Sequence, residues 1–226
     1  MSQKFLSTSS EDIRISPITL DSHGMLLRGM LYLPPEMPSQ VVVLCNALWE
    51  EGECSRRVLT GLGMHLAACG IAAIRFDYAG TGESGGQDFE ADLSIYRANI
   101  NSVVHWAKDR FQSAAIIAVA IRTGANLLLS IELPSVNDVV LIEPIMDIKR
   151  HWRDLRIATM LVCPGVNLDG QLKDSYDQSH YILRHGHRLN PEIKDPQDHP
   201  PCPIQVGCIL TRSCACPVIC LGLAGH

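Results

Sequence analysis

"AVAIRTGANLLL", residues 118 to 129, carries an apolar strand into an apolar helix through Arg122-Thr123-Gly124, with no loop between them. Such an abrupt turn belongs to an open α/β sheet, in which the turn residue is held at the carboxyl ends of the strands. Flanking segments agree. "AAIIAVA" (114 to 120) is a short apolar run of strand length, "GANLLLSIEL" (124 to 133) reads as the helix, and "DVVLIEP" (138 to 144) as the next strand.

Upstream the alternation continues. "VVVLC" (41 to 45) and "IAAIRF" (71 to 76) are continuously apolar and read as strands buried on both faces. Between them "SRRVLTGLGMHLAACG" repeats apolar residues at three- and four-residue steps and stops on Gly70, which predicts a crossover helix. "ADLSIYRANINSVVHWAKDR" (91 to 110) is a second amphipathic helix. At the start, "IRISPITL" (13 to 20) and "MLLRGMLYLP" (25 to 34) flank Asp21-Ser22-His23-Gly24, a turn-rich connection that predicts an antiparallel hairpin. The expected fold is therefore α/β, a mostly parallel sheet with helices on both faces. Its parallel strands lie near 41–45, 71–76, 114–120 and 138–142.

Composition narrows the function classes. At 226 residues the chain has room for one α/β core, expected over residues 1–150, and a cap or C-terminal region over 151–226 that is divergent or truncated. With 46% hydrophobic and 19% charged residues and a net charge of -5, nucleic acid is not expected as a partner. No apolar run reaches the roughly 18 residues of a membrane span, and "MSQKFLSTSSEDIR" lacks the apolar core of a signal peptide. A cytoplasmic location is the default expectation, with reduced thiols at Cys45, Cys54, Cys69 and Cys163. Nothing indicates a cofactor, and oligomeric state is open.

A second motif competes with the turn at Arg122. "GTGESGG" (80 to 86) contains Gly82-Glu83-Ser84-Gly85-Gly86, the G-x-S-x-G pattern of a nucleophile elbow. Ser84 lies eight residues beyond the strand "IAAIRF", in glycine-rich sequence, and the next helix starts only near Glu90. It reads as a loop serine without a histidine partner.

"VVVLCNALWEEGECSRR", "GIAAIRFDYAGTGESGG", "AVAIRTGANLLL" and "VVLIEPIMDIKRHWRDLR" together resemble the α/β-hydrolase superfamily, and more narrowly the serine-aminopeptidase-like hydrolases of the exosortase-associated type. Resemblance spans roughly residues 20 to 160. It implies the α/β-hydrolase fold, an ester, acyl or peptide-like substrate class, and the G-x-R-x-G elbow variant, with Ala120 standing in place of the first elbow glycine. In enzymes of the fold a serine attacks a carbonyl, a histidine takes its proton, an acid orients the histidine, and two backbone N–H groups hold the oxyanion. Arg122 stays protonated and is no nucleophile. Thr123 points away from the attack position. An uncatalytic elbow is therefore expected, one that a fluorophosphonate probe leaves unlabelled.

The same residues suggest a ligand site. The Thr123 N–H begins the helix, "NALWE" offers a second N–H from Ala47 or Leu48, and Arg122 adds a full charge, so a small carboxylate or acyl ligand could bind there. Alternatively Arg122 pairs internally with Glu50, Glu51 or Glu143. For the histidine, His226 follows the apolar run "VICLGLAG", the end of a last strand, with His185, His187 and His199 as weaker candidates; for the acid, Asp169, Asp174 and Asp177 have no clear strand before them. No complete triad is written.

"PPCPIQVGCILTRSCACPVICLGLAGH" (200 to 226) holds five of the nine cysteines. Three readings compete for it. Cys202, Cys208, Cys214, Cys216 and Cys220 could join His185 or His187 around a metal, though the spacing is not that of a zinc ribbon, so no metal is expected. The chain could instead end early or run through a shifted frame, with the last strands missing or replaced. The third reading is a genuine but divergent cap and tail.

Overall fold

The first two strands, β1 (Arg14–Ser22) and β2 (Met25–Leu33), pair antiparallel from Arg14 opposite Leu33 to Ser22 opposite Met25. His23 and Gly24 turn the chain with φ of 54° and 84°, and two successive positive φ angles are what a two-residue hairpin of the strand's twist demands. The computed structural model describes residues 12–162 and the strand segments 182–184, 187–189, 210–211 and 217–221.

Four parallel strands follow, β3 (Gln40–Cys45), β4 (Ala72–Phe76), β5 (Ala115–Ile121) and β6 (Asp138–Ile142), within 1 or 2 residues of the expected bounds. They lie in the order β4-β3-β5-β6, with Val43 opposite both Ile74 and Ala118, and Val119 opposite Val140. Along β3, side chains alternate between two cores: Val41, Val43 and Cys45 face one, Val42 and Leu44 the other. Helices α2 (Leu93–Arg110), α3 (Thr123–Leu129) and α4 (Ile148–Val162) cover the first core and α1 (Trp49–Ala68) the second. Burial on both faces is why these strands read as unbroken apolar runs rather than as alternating ones.

Two helix boundaries differ from expectation. α1 starts at Trp49, six residues before Ser55, because Gly52 packs against the β3–α1 loop; a Cβ there would lie 2.5 Å from the Ala47 carbonyl oxygen. Expected to reach residue 133, α3 ends at Leu129, where the Ser130 hydroxyl donates to the Leu127 carbonyl (2.6 Å) in place of a further helical N–H.

The sheet does not stop at β6. Residues 217–221 form β10 (Pro217–Leu221), parallel to β6 with Ile219 opposite Val140, and β9 (Leu210–Thr211) pairs antiparallel on its far side. The apolar run in the cysteine-rich tail thus supplies a sheet strand. A separate hairpin joins β7 (Ile182–Arg184) to β8 (His187–Leu189).

Candidate functional site

Arg122 is the one residue between β5 and α3, and it sits at φ 53°, ψ −125°, a conformation L-residues avoid. Holding a non-glycine residue there costs about 1 to 3 kcal/mol, which the surrounding structure must offset. Three further non-glycine residues with positive φ occur among the described residues: His23 in the hairpin turn, Trp49 at the start of α1, and Glu143 directly after β6. Leaving the hairpin aside, all the strained residues lie beyond the carboxyl ends of the neighbouring strands β3, β5 and β6. Strain gathered in this way marks functional sites more often than structural ones.

The Arg122 guanidinium is already engaged. Its Nε and Nη2 donate to Glu51 Oε1 at 3.1 and 2.8 Å, and its Nη1 donates to the Glu143 carbonyl at 3.4 Å. Of the three carboxylates that could have paired with Arg122, Glu51 does so, and Glu143 contributes its backbone. The two side chains are 34% and 31% exposed, so solvent and small solutes reach the pair. Glu51 Oε2 is buried with no hydrogen-bond partner.

α4 brings a residue the sequence reading did not select. His151 lies half-buried beside this pair, with its Nε2 also buried and without a hydrogen-bond partner. Burial pushes the imidazole below its ordinary value of 6.5, Glu51 pulls it up, Arg122 pushes it down again, and Asp154 pulls it up, with a net lowering. His151 is therefore neutral in the folded chain over pH values where the unfolded chain binds a proton. Its contribution to stability is full above pH 6.5 and lost as the pH falls below that toward the folded value. Urea melts between pH 7.5 and 5 should show stability falling toward acid, with a shallower fall in His151→Gln. Parallel curves for the two proteins would remove His151 from the site. Its signal in the sequence was the neighbouring Trp152: a histidine next to a large aromatic residue among the charges of residues 149–156.

Two of the expected N–H donors, those of Ala47 and Leu48, are turned inward. Leu48 N–H donates to Thr123 Oγ1 at 2.8 Å, and Ala47 N–H to Asn46 Oδ1 at 2.9 Å. Asn46 is locked in turn, its Nδ2 donating to the Gly52 carbonyl (2.8 Å) and its Oδ1 accepting from Ser55 (2.6 Å). Thr123 is fully buried. The loop after β3 is thus tied to the elbow through Thr123 Oγ1, and the Arg122 side chain beside it is 34% exposed.

His226 lies outside the described residues, as do His185, His199, Asp169, Asp174, Asp177, Cys163, Cys202, Cys208, Cys214 and Cys216; His187 is on β8 and Cys220 on β10. Among the described residues no group of three His, Cys, Asp or Glu side chains could hold a metal ion. Cys45 is buried, which pushes its thiol up to about 12, whereas Cys54 and Cys69 are exposed and free.

Ser84 is a loop residue, held by the backbone. Its hydroxyl donates to the Asp77 carbonyl at 2.6 Å and accepts from the Arg28 N–H at 2.9 Å, tying the glycine loop to β2. Ser84→Ala should cost about 1 kcal/mol in a chemical melt by leaving both backbone groups unpaired. Fluorophosphonate labelling that Ser84→Ala abolishes at unchanged stability would instead restore Ser84 as a nucleophile.

No protein-family model matches the sequence, and no curated protein matches it. Solved structures do match. The Est1E protein of Butyrivibrio proteoclasticus, determined with ferulic acid bound, is similar with a TM-score of 0.56 and 18% identity over 77% of this chain and 68% of its own. An esterase of Pyrococcus furiosus matches at 0.52 with 16% identity over 67% of this chain and 58% of its own. An alpha-beta serine hydrolase homologue from Coxiella burnetii matches at 0.50 with 18% identity over 57% of this chain and 62% of its own. The chain spans less than two thirds of the last two. At these identities the likeness concerns the fold: the chain has the α/β-hydrolase fold.

Proposed function

We propose that this chain is a non-catalytic α/β-hydrolase-fold protein of the exosortase-associated type, which binds a small carboxylate or acyl ligand at Arg122. One observation carries the reading. Arg122 occupies the strained elbow and turns the edge of its guanidinium to a carboxylate, that of Glu51. A protein without use for the elbow would lose little by relaxing it, and the guanidinium fork is suited to a carboxylate oxygen. A ligand carboxylate would take the place of Glu51, whose side chain is 31% exposed and would swing aside. No helix among the described residues is long and apolar enough to cross a membrane, and the net charge of -5 favours a small molecule over nucleic acid.

Two measurements test this. A fluorophosphonate probe should leave the purified protein unlabelled, because labelling needs an activated hydroxyl; stoichiometric labelling lost on changing one serine or threonine would identify a nucleophile and end the non-catalytic reading. Millimolar acetate, butyrate or an acyl thioester should raise the melting temperature of the unmodified protein and not that of Arg122→Ala. No shift with any of these, joined to a loss of about 1 to 2 kcal/mol in Arg122→Ala, would make the Arg122–Glu51 pair purely structural.

A further inference from the structure

We propose that the elbow ligand is a free α-amino acid, held as a zwitterion between Arg122 and Glu51; the inference rests on the reading of Arg122 as a carboxylate site and names its ligand class. The Arg122–Glu51 pair is made through one oxygen. Nε and Nη2 of Arg122 both donate to Glu51 Oε1, so a guanidinium edge that can form parallel bonds to both oxygens of a carboxylate is filled by a single atom. Glu51 Oε2 is buried and accepts no hydrogen bond from any described residue.

Charge decides which carboxylate fits. Arg122 and Glu51 bring one charge of each sign, and a simple carboxylate that takes the guanidinium leaves Glu51 without its partner and sets two anions beside one cation. A simple ammonium ion that takes Glu51 strands Arg122 in the same way. A molecule carrying both charges replaces one pair by two, Arg122 with the ligand carboxylate and Glu51 with the ligand ammonium, and strands neither side chain. Both side chains are partly exposed, so water screens the new pairs and the gain over a simple carboxylate is modest. The shortest separation of the two ligand charges asks the smallest displacement of Glu51 from the guanidinium, which selects an α-amino acid over longer ones.

His151 adds to this selection. Glu51 and Arg122 both act on its charge, and burial, the largest influence, holds the imidazole below its ordinary value of 6.5. At neutral pH the ring is therefore uncharged and does not compete with an ammonium ion for Glu51. Asp154, the other acid that acts on His151, is itself paired with Arg150 and Arg153, at 3.8 and 3.6 Å. Glu51 is thus the carboxylate left to receive the ligand's positive charge. Its Oε2 and His151 Nε2 are buried polar atoms without a hydrogen-bond partner among the described residues, and an ammonium group brings three donors.

The test titrates the whole chain calorimetrically at constant ionic strength with glycine, with acetate and N-acetylglycine as carboxylates lacking an ammonium group, and with glycinamide as an ammonium ion lacking a carboxylate. Glycine should bind about threefold to fivefold more tightly than acetate or N-acetylglycine, glycinamide should give no saturable heat, and affinity should fall from glycine through β-alanine to γ-aminobutyrate. Arg122→Ala should bind none of them. Glu51→Gln, which keeps the shape of the side chain and removes its charge, should bind glycine and acetate equally. Acetate binding as tightly as glycine to the unmodified protein, a glycine preference that survives in Glu51→Gln, or affinity that rises along the series would overturn the amino-acid assignment and leave Arg122 as a carboxylate site. Absence of binding by every compound, or binding unchanged in Arg122→Ala, would overturn the carboxylate site and this inference with it.

Discussion

Alanine at Gly124 should cost the fold about 3 kcal/mol, at the upper end for a single added methyl group, because its clash is with backbone rather than side chain. A Cβ at this position would overlap the Asn46 carbonyl oxygen, with the Asn46 carbonyl carbon at 2.9 Å and the Cys45 carbonyl oxygen at 3.1 Å. None of these can rotate away, since Cys45 ends β3 and Asn46 is fixed by Gly52 and Ser55. The same approach lets Leu48 N–H reach Thr123 Oγ1, so Gly124→Ala should also break the tie between the loop after β3 and the elbow. Gly61 provides the control. It lies exposed in α1 with nothing within 4 Å of an added Cβ, and Gly61→Ala should stabilise by about 0.5 to 1 kcal/mol through helix propensity alone. Urea melts of the two variants should therefore move in opposite directions. Equal stability of Gly124→Ala and the unmodified protein would mean that β3 and the elbow do not approach this closely.

How far the sequence was legible follows from where each interaction originates. The four parallel strands could be read because both faces of each are covered, which leaves the signal of apolar runs local. α1 was cut short because Glu50, Glu51 and Gly52 carry no apolar period; their helix is stabilised from outside, by the close contact of Gly52 with Ala47. Arg122 could be placed because a strand met a helix there. Its partner could not be chosen, since Glu50, Glu51 and Glu143 all lie just beyond strand ends and only the direction of α1 brings Glu51 onto the guanidinium. The capture of Leu48 N–H by Thr123 joins residues 75 apart in the chain and has no local trace. His151 was passed over for a similar reason: its relation to Arg122 arises from how α4 docks.

Trp152 sets that docking, and Trp152→Ala should have the largest effect of any core substitution near the site, about 3 to 5 kcal/mol. Its side chain is 2% exposed and its ring lies 5.3 Å from that of Trp49 at an interplanar angle of 50°, a pairing that adds about 0.5 to 1.5 kcal/mol to simple burial. Farther along α4, Ile157 and Leu161 are 48% and 79% exposed, so the described hold of this helix on the core comes from its first turns, from Ile148, Trp152 and Leu155. Asp147 fixes the start by accepting from Arg150 N–H at 2.9 Å, but a cap orients a helix without anchoring it. With Trp152 removed, α4 should lift, and His151 should return to water and to an ordinary titration. Trp152→Ala should then lose the acid-side destabilisation that His151 gives the unmodified protein, matching His151→Gln in the shape of its pH curve while lying far below it in stability. Trp152→Phe, which keeps a ring against Trp49, should retain that pH dependence. If Trp152→Ala is destabilised yet still follows the unmodified protein's pH curve, α4 is held by other contacts, and His151 stays within reach of the charges of Arg122 and Glu51 without help from the tryptophans.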